Sequence, residues 1–291
     1  MIGLSSTPKI PSILSGAYLL HKQGLTGKNV TVAVLDSGLA RHKDISLSRI
    51  PIFKDFIHSR HNLYDDYSHG THVTGILASS RIGIAPECRI IPIKILDNHG
   101  NGSTDIFIDA IKWILYEYQT YHIQIVNISI GGNTKELKLE SNRLNRWVSR
   151  LWDAGLVVCC SAGNNGPIPN SIAAPGNCEK VITVGSFDGR NFSSAGPLLP
   201  YIFKPELSAP GYRILSLKPY GGYSTKNGTS MSVPFISGAC ALLLQKYPYL
   251  TNTQIKSMLI QSARTIAGLP MNIQGAGAVN LQQLLTIPSE I

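Results

Sequence analysis

No stretch of this 291-residue chain approaches the ~20 consecutive apolar residues that cross a bilayer, so no membrane span is expected. Charge is scarce: 15% of residues are charged, with 17 acidic against 26 Lys and Arg, a net charge of +9. The basic residues are scattered and form no run of like charge, so a mildly basic solvated surface is expected and no nucleic-acid partner. Cysteine is short and odd in number, with five residues at 88, 159, 160, 178 and 240. They have no paired-motif spacing, which argues against a zinc site and a disulfide framework and for buried thiols acting as small hydrophobes. Repeats and low-complexity tracts are lacking. The first eleven residues, MIGLSSTPKIP, have no basic stretch leading into an apolar core of signal-peptide type. What remains, 43% hydrophobic and near zero in mean hydropathy, is the composition of one large soluble α/β domain.

The residues that carry chemistry fall in compact motifs. Asn227-Gly228-Thr229-Ser230-Met231-Ser232-Val233-Pro234 places a serine in a glycine-bearing turn that opens an apolar helix. The helix dipole there favours developing negative charge. A serine alone is a poor nucleophile at neutral pH and needs a base and an oriented acid. Val30–Leu35 reads as a buried β-branched strand delivering Asp36 to a Ser-Gly turn, at the strand end where open parallel sheets gather function. His69-Gly-Thr-His-Val-Thr-Gly75 reads as the start of a small-residue helix with a histidine at its mouth. On the residues alone His72, three positions on, rivals His69. A fourth motif, Ser161-Ala162-Gly163-Asn164-Asn165-Gly166, reads by itself as a loop.

Taken together, in this order, the four motifs resemble those of the subtilisin-type serine proteases, and the resemblance runs from about Pro11 to about Leu285. It implies a three-layer α/β fold with a central, mostly parallel sheet flanked by helices. It implies an endopeptidase with Asp36 as acid, His69 as base, Ser230 as nucleophile and Asn164 as oxyanion donor; His72 is then a structural neighbour. A substrate backbone would add as a strand between two walls. Leu96, Gly100, Asn101 and Gly102 belong to the first, and Ser129, Ile130 and Gly131, within Asn127–Gly132, to the second. Ala162, Gly163 and Ala173 would complete the pocket for the residue before the scissile bond. Ala173, standing where the family carries glycine, would narrow that pocket toward small or medium side chains. No group of carboxylates in these walls supports a dibasic preference.

Two departures shape the remaining expectations. Ile76–Ser80 runs directly into Arg81–Pro86 with no Asn- or Asp-rich loop, whereas a hard cation needs six or more oxygens. The strong calcium site of secreted members is therefore expected to be absent, a weaker site elsewhere is left open, and no cofactor is required. Residues 13–24 resemble the surface helix before the first core strand of mature members, which leaves no room for a folding pro-segment. The chain thus resembles the intracellular bacterial branch, with residues 1–10 as an N-terminal extension and 11–291 as the peptidase domain. That extension reads either as a free tail or as a plug in the cleft. A cytoplasmic, bacterial setting is expected, and the sequon Asn227-Gly228-Thr229 is read as unused. The only partner expected is a peptide or protein substrate. A dedicated leader-removing protease, a general degradative protease and a peptide-binding pseudoprotease remain the alternatives.

The pattern predicts strands at 30–35, 89–95, 123–130, 156–161 and 181–186, and helices at 103–121, 140–154, 234–246 and 251–263.

Overall fold

A computed structural model describes residues 8–131, 138–188, 192–197 and 204–285. Seven strands form one parallel sheet: β1 (Thr31–Asp36), β2 (Lys54–Asp55), β3 (Arg89–Lys94), β4 (Ile123–Ile128), β5 (Val157–Ser161), β6 (Ile182–Ser186) and β7 (Leu207–Ala209). Their order is β2-β3-β1-β4-β5-β6-β7. From β1 the chain crosses to the edge strand β2, returns through β3 beside β1, and then builds away on the other side from β4 to β7, so β1 lies at the switch point of the sheet, where a crevice opens at the strands' carboxyl ends. A separate antiparallel hairpin joins β8 (Ile214–Leu217) to β9 (Tyr223–Lys226).

Side chains alternate across each strand and feed two cores. Val32 and Val34 of β1, Ile90, Ile125, Val157 and Val184 face α3 (His69–Ala78), α6 (Thr229–Lys246) and α7 (Asn252–Ser262). Ala33, Leu35, Ile91, Ile93, Val126 and Val158 face α4 (Thr104–Glu117) and α5 (Lys138–Asp153). Both faces being covered explains why the strands are continuous apolar runs rather than alternating ones. The short helices α1 (Pro11–Leu14), α2 (Ala17–His21), α8 (Met271–Gln274) and α9 (Leu281–Leu284) complete the described chain.

The expected three-layer α/β architecture is found. The helix expected from Pro234 instead begins at Thr229, so Ser230 lies in its first turn. Pro234 is tolerated because it interrupts one backbone bond, that to the Ser230 carbonyl. The helix expected to reach Tyr121 ends at Glu117, while its start is fixed as read, by Ser103 accepting from the Ile106 N–H. Helix α7 is capped by Thr251 and Gln254 in a reciprocal capping box. The sequence pattern missed β2, β7 and the β8–β9 hairpin; each has at most four residues, too few to display a period.

Within the expected extension 1–10, Lys9 is docked. Its N–H donates to the Arg213 carbonyl, its carbonyl accepts from Leu215, and its ammonium pairs with Asp188. Ile10 caps α1, and residues 1–7 of the extension lie outside the described residues.

All five cysteines are buried and unpaired, and burial pushes the Cys88 thiol up to about 12. His72 is fully buried between α3 and the β8–β9 hairpin, where its Nε2–H donates to the Ser224 carbonyl at 3.1 Å. Its Nδ1 has no partner among the described residues. Burial, and then the nearby Lys226 charge, lower its pKa from 6.5 to about 3. A histidine held neutral in the folded state but protonated in the unfolded one contributes stability above pH 6.5 that is lost as pH falls toward its folded pKa. We expect denaturant titrations to show stability falling by about 1.4 kcal/mol per pH unit from this group between pH 6 and 4. His72→Gln should flatten that part of the slope.

Candidate active site

Asp36 closes β1 at the switch point and is fully buried. Its carboxylate accepts from the Ser37 N–H at 2.7 Å and from His69 Nδ1 at 2.8 and 3.0 Å. The contact requires the end of β1 and the start of α3 to touch. Gly70 permits this: a Cβ there would lie 2.2 Å from the Gly38 carbonyl oxygen and 3.1 Å from the Asp36 Cβ. Asp65 locks the junction. It accepts from Ser37 Oγ at 2.8 Å, from the Ser68 N–H at 2.8 Å, and from the N–H and hydroxyl of Thr71 at 2.8 and 2.6 Å. Lys94, fully buried at the end of β3, donates to the Ser37 carbonyl at 2.8 Å.

Ser230 lies in the first turn of α6, which packs on the same face of the sheet as α3, and the N–H groups of that turn have no partner inside the helix. Gly228, at φ +137°, sits at the cap and turns the chain into the helix. Asn164 follows β5 and is fixed by Thr229. The Thr229 N–H and hydroxyl both donate to Asn164 Oδ1, at 3.0 and 3.1 Å. Thr229 Oγ1 in turn accepts from the Gly163 N–H at 3.1 Å. With Oδ1 occupied twice, the Asn164 amide NH2 is the end left to donate.

His69, Asn164 and Ser230 line one cavity of about 440 Å³. Leu96, Gly100, Asn101 and Gly102 form one wall and Ser129, Ile130 and Gly131 the other, with Phe107 and Leu144 also in the lining. Buried Asn127 steadies the second wall, donating to Ser129 Oγ and accepting from Ser237 of α6, both at 2.9 Å. Gly132, in the same expected wall, lies outside the described residues. Ala162 is buried behind the lining, and Gly163 lies beside Gly131, whose Cβ would come within 3.9 Å of the Gly163 Cα. Of the segment after Asn164, the cavity is lined by Ala174 and Pro175 rather than Ala173. The Ala173 carbonyl accepts from the Asn177 N–H and turns the chain there, so the following residues face the cavity. Tyr67 takes up space on the Gly100 wall of the cavity. Its ring fills the space against Gly100, where a Cβ would lie 2.4 Å from it, and tilts against His69 at 6.3 Å between centroids.

Sequence reasoning missed Tyr67, Asp65 and Thr229, although each is one to four residues from a motif residue. An acidic residue four positions before a helix start was the available signal for Asp65. Nothing in the pattern distinguishes Thr229 from other threonines in turns. His72 faces the hairpin and not the cavity.

A profile of the subtilase family (Peptidase S8) matches residues 27–277. The chain belongs to the subtilase family. It is 38% identical to serine protease AprX of Bacillus subtilis, over 89% of this chain and 67% of that protein. It is 36% identical to subtilisin of Bacillus pumilus, over 91% of this chain and 94% of that protein. The crystal structure of a cold adapted subtilisin-like serine proteinase superposes with a TM-score of 0.72 at 28% identity, covering 88% of each chain. This subtilase is therefore a subtilisin-type serine endopeptidase. Among the described residues, no helix is long and apolar enough to cross a membrane, and no group of three or more His, Cys, Asp or Glu could hold a metal ion.

The Thr229–Asn164 pairing yields a test. Thr229→Ala removes the hydroxyl that orients the amide, and kcat on a peptide substrate should fall roughly tenfold with KM little changed, the worth of one hydrogen bond at a polar site. Thr229→Ser should restore most of it.

Proposed function

We propose that this subtilase is a dedicated maturation protease, cutting one junction in a precursor, such as that after a leader peptide, in a bacterial cytoplasm. The chemistry runs through Asp36, His69 and Ser230. The observation that carries this reading is the contact of His69 Nδ1 with both oxygens of Asp36, in the cavity that Ser230 also lines. With Nδ1–H committed to Asp36, Nε2 holds the lone pair that accepts the Ser230 proton as Oγ attacks the peptide carbonyl. The Asn164 amide and the Ser230 N–H receive the oxyanion. The imidazolium then gives its proton to the leaving amine as the C–N bond breaks. Water repeats the sequence on the acyl-enzyme and restores Ser230.

The single-site role is supported by the Tyr67 ring in the cleft. Tyr67 against Gly100 limits what fits beside His69, which favours a chosen sequence over broad digestion. Five buried thiols, unpaired in the described structure, suit a reducing compartment. No metal is required for folding on this reading. The chain after α3 turns at Ser79–Gly83 and pairs Ile84 and Ala85 back onto the Ile76 and Leu77 carbonyls, so backbone bonds close the turn where an ion-binding loop would insert.

Reaction with a fluorophosphonate should label the wild-type protein once, on Ser230, and leave Ser230→Ala unlabelled. Peptide turnover by that variant should drop on the order of 10⁶-fold, the loss measured for a subtilisin nucleophile, with peptide affinity retained. Casein should be cut slowly and at few sites; complete digestion would favour a degradative role, and no labelling of folded protein a pseudoprotease. Chelation by EDTA should move the melting temperature by less than about 2 °C, since a ligand that is not bound adds nothing to stability.

A further inference from the structure

Lys226 ends β9, four residues before Ser230. Its Nζ donates to Ser68 Oγ at 2.9 Å, and Ser68 immediately precedes His69. Among the described residues this is its one hydrogen bond, whereas an ammonium carries three donors. The nearest carboxylates leave it under-paired. Asp36 is engaged by His69 and the Ser37 N–H; Asp65 is engaged by Ser37, Ser68 and Thr71. Both attract Lys226 at a distance, yet burial outweighs them and holds its pKa below the usual lysine range.

The position of this cation relative to the reaction follows from the cavity. The walls at Leu96–Gly102 and Ser129–Gly131, with Asn164, hold the acyl side of a bound peptide, and Lys226 is not part of that lining. The leaving amine takes its proton from His69 and so departs on the His69 side, and Ser68, which holds Lys226 Nζ, immediately precedes His69. A side chain on the residue that carries the new amine would meet the under-paired ammonium there. A carboxylate brought by the substrate would take up the donors that the ammonium leaves unused.

We propose that Lys226 is a specificity-determining residue that selects an acidic side chain, Asp or Glu, as the first residue after the scissile bond. The inference rests on the peptidase reading above and adds the chemistry of the leaving side. The selection acts through a charge-assisted hydrogen bond to the ammonium.

The experiment compares internally quenched peptides that differ only at that residue, as Asp, Asn or Lys. Wild-type kcat/KM for Asp should exceed that for Asn by about fivefold, the worth of a partly solvated ion pair, and that for Lys by more. The preference should shrink in 0.5 M NaCl as screening shortens the reach of the charge. Lys226→Arg should keep it, Lys226→Met should erase it, and Lys226→Glu should invert it toward Lys. Equal rates for the three peptides in the wild type overturn the inference. So does a loss in Lys226→Met that is the same for all three, because Lys226 then serves only to hold Ser68. A fluorophosphonate control separates the two layers. Labelled Ser230 with a flat series sinks the Lys226 assignment alone, and an unlabelled, folded protein that cuts no peptide sinks the peptidase reading and this inference with it.

Discussion

Everything at the active end of the molecule depends on the close approach of two backbones, at Gly38 and Gly70. The carbonyl of one lies where a side chain of the other would be. That contact lets helix α3 start against the end of β1, so that the His69 imidazole reaches the fully buried Asp36 carboxylate. Asp65 then converts proximity into fixed geometry, because one carboxylate bonds groups on both sides of the junction: Ser37 after the strand, and Ser68 and Thr71 around the start of the helix. The cost of burying Asp65 is offset by several donors, as a buried charge requires.

The second fixed piece is α6. It runs buried from Met231 to Leu244 against the sheet, and its own packing therefore decides where Ser230 stands. The Asn127–Ser237 bond ties the middle of this helix to the wall that begins at Ser129. The Thr229–Asn164 pairing ties its start to the end of β5. Ser230, the Ser129 wall and Asn164 are thus referenced to one rigid element, the condition for groups that must act within a fraction of an ångström. The hairpin β8–β9 is the remaining support; it packs over His72 and delivers Lys226 beside Ser68.

The elements most legible in the sequence were those with long apolar runs. Strands at Val30–Leu35 and Arg89–Ile95 were found to within a residue, because a strand covered on both faces needs continuous β-branched residues. Helix α7 was placed by its Thr251 cap. The start of α6 was misplaced because Pro234 reads as a helix opener, and only the burial of the preceding turn against the sheet makes Thr229–Val233 helical. The short pieces β2, β7 and the hairpin carry no period; their pairing partners lie far off in sequence, and that pairing is what makes them strands. In the site, Ala173 was expected on the cavity wall from its alignment with a family glycine, but the turn at its carbonyl brings Ala174 and Pro175 there.

By itself the sequence determined the class of fold and the chemical types available: a carboxylate at a strand end, a histidine at a helix mouth, a serine at a helix start and an asparagine in a glycine loop, in an order that marks the family. Those features are local, set by apolar patterning and turn chemistry, and so survive reading one segment at a time. The tertiary structure alone decided which atoms meet. Asp65 as the clamp, Thr229 as the keeper of the Asn164 amide, Tyr67 as the ring on the Gly100 wall and Lys226 as an under-paired cation all depend on contacts between distant or differently oriented segments. Hydrogen-bond direction and burial arise only when those segments are packed together, and no single segment encodes them.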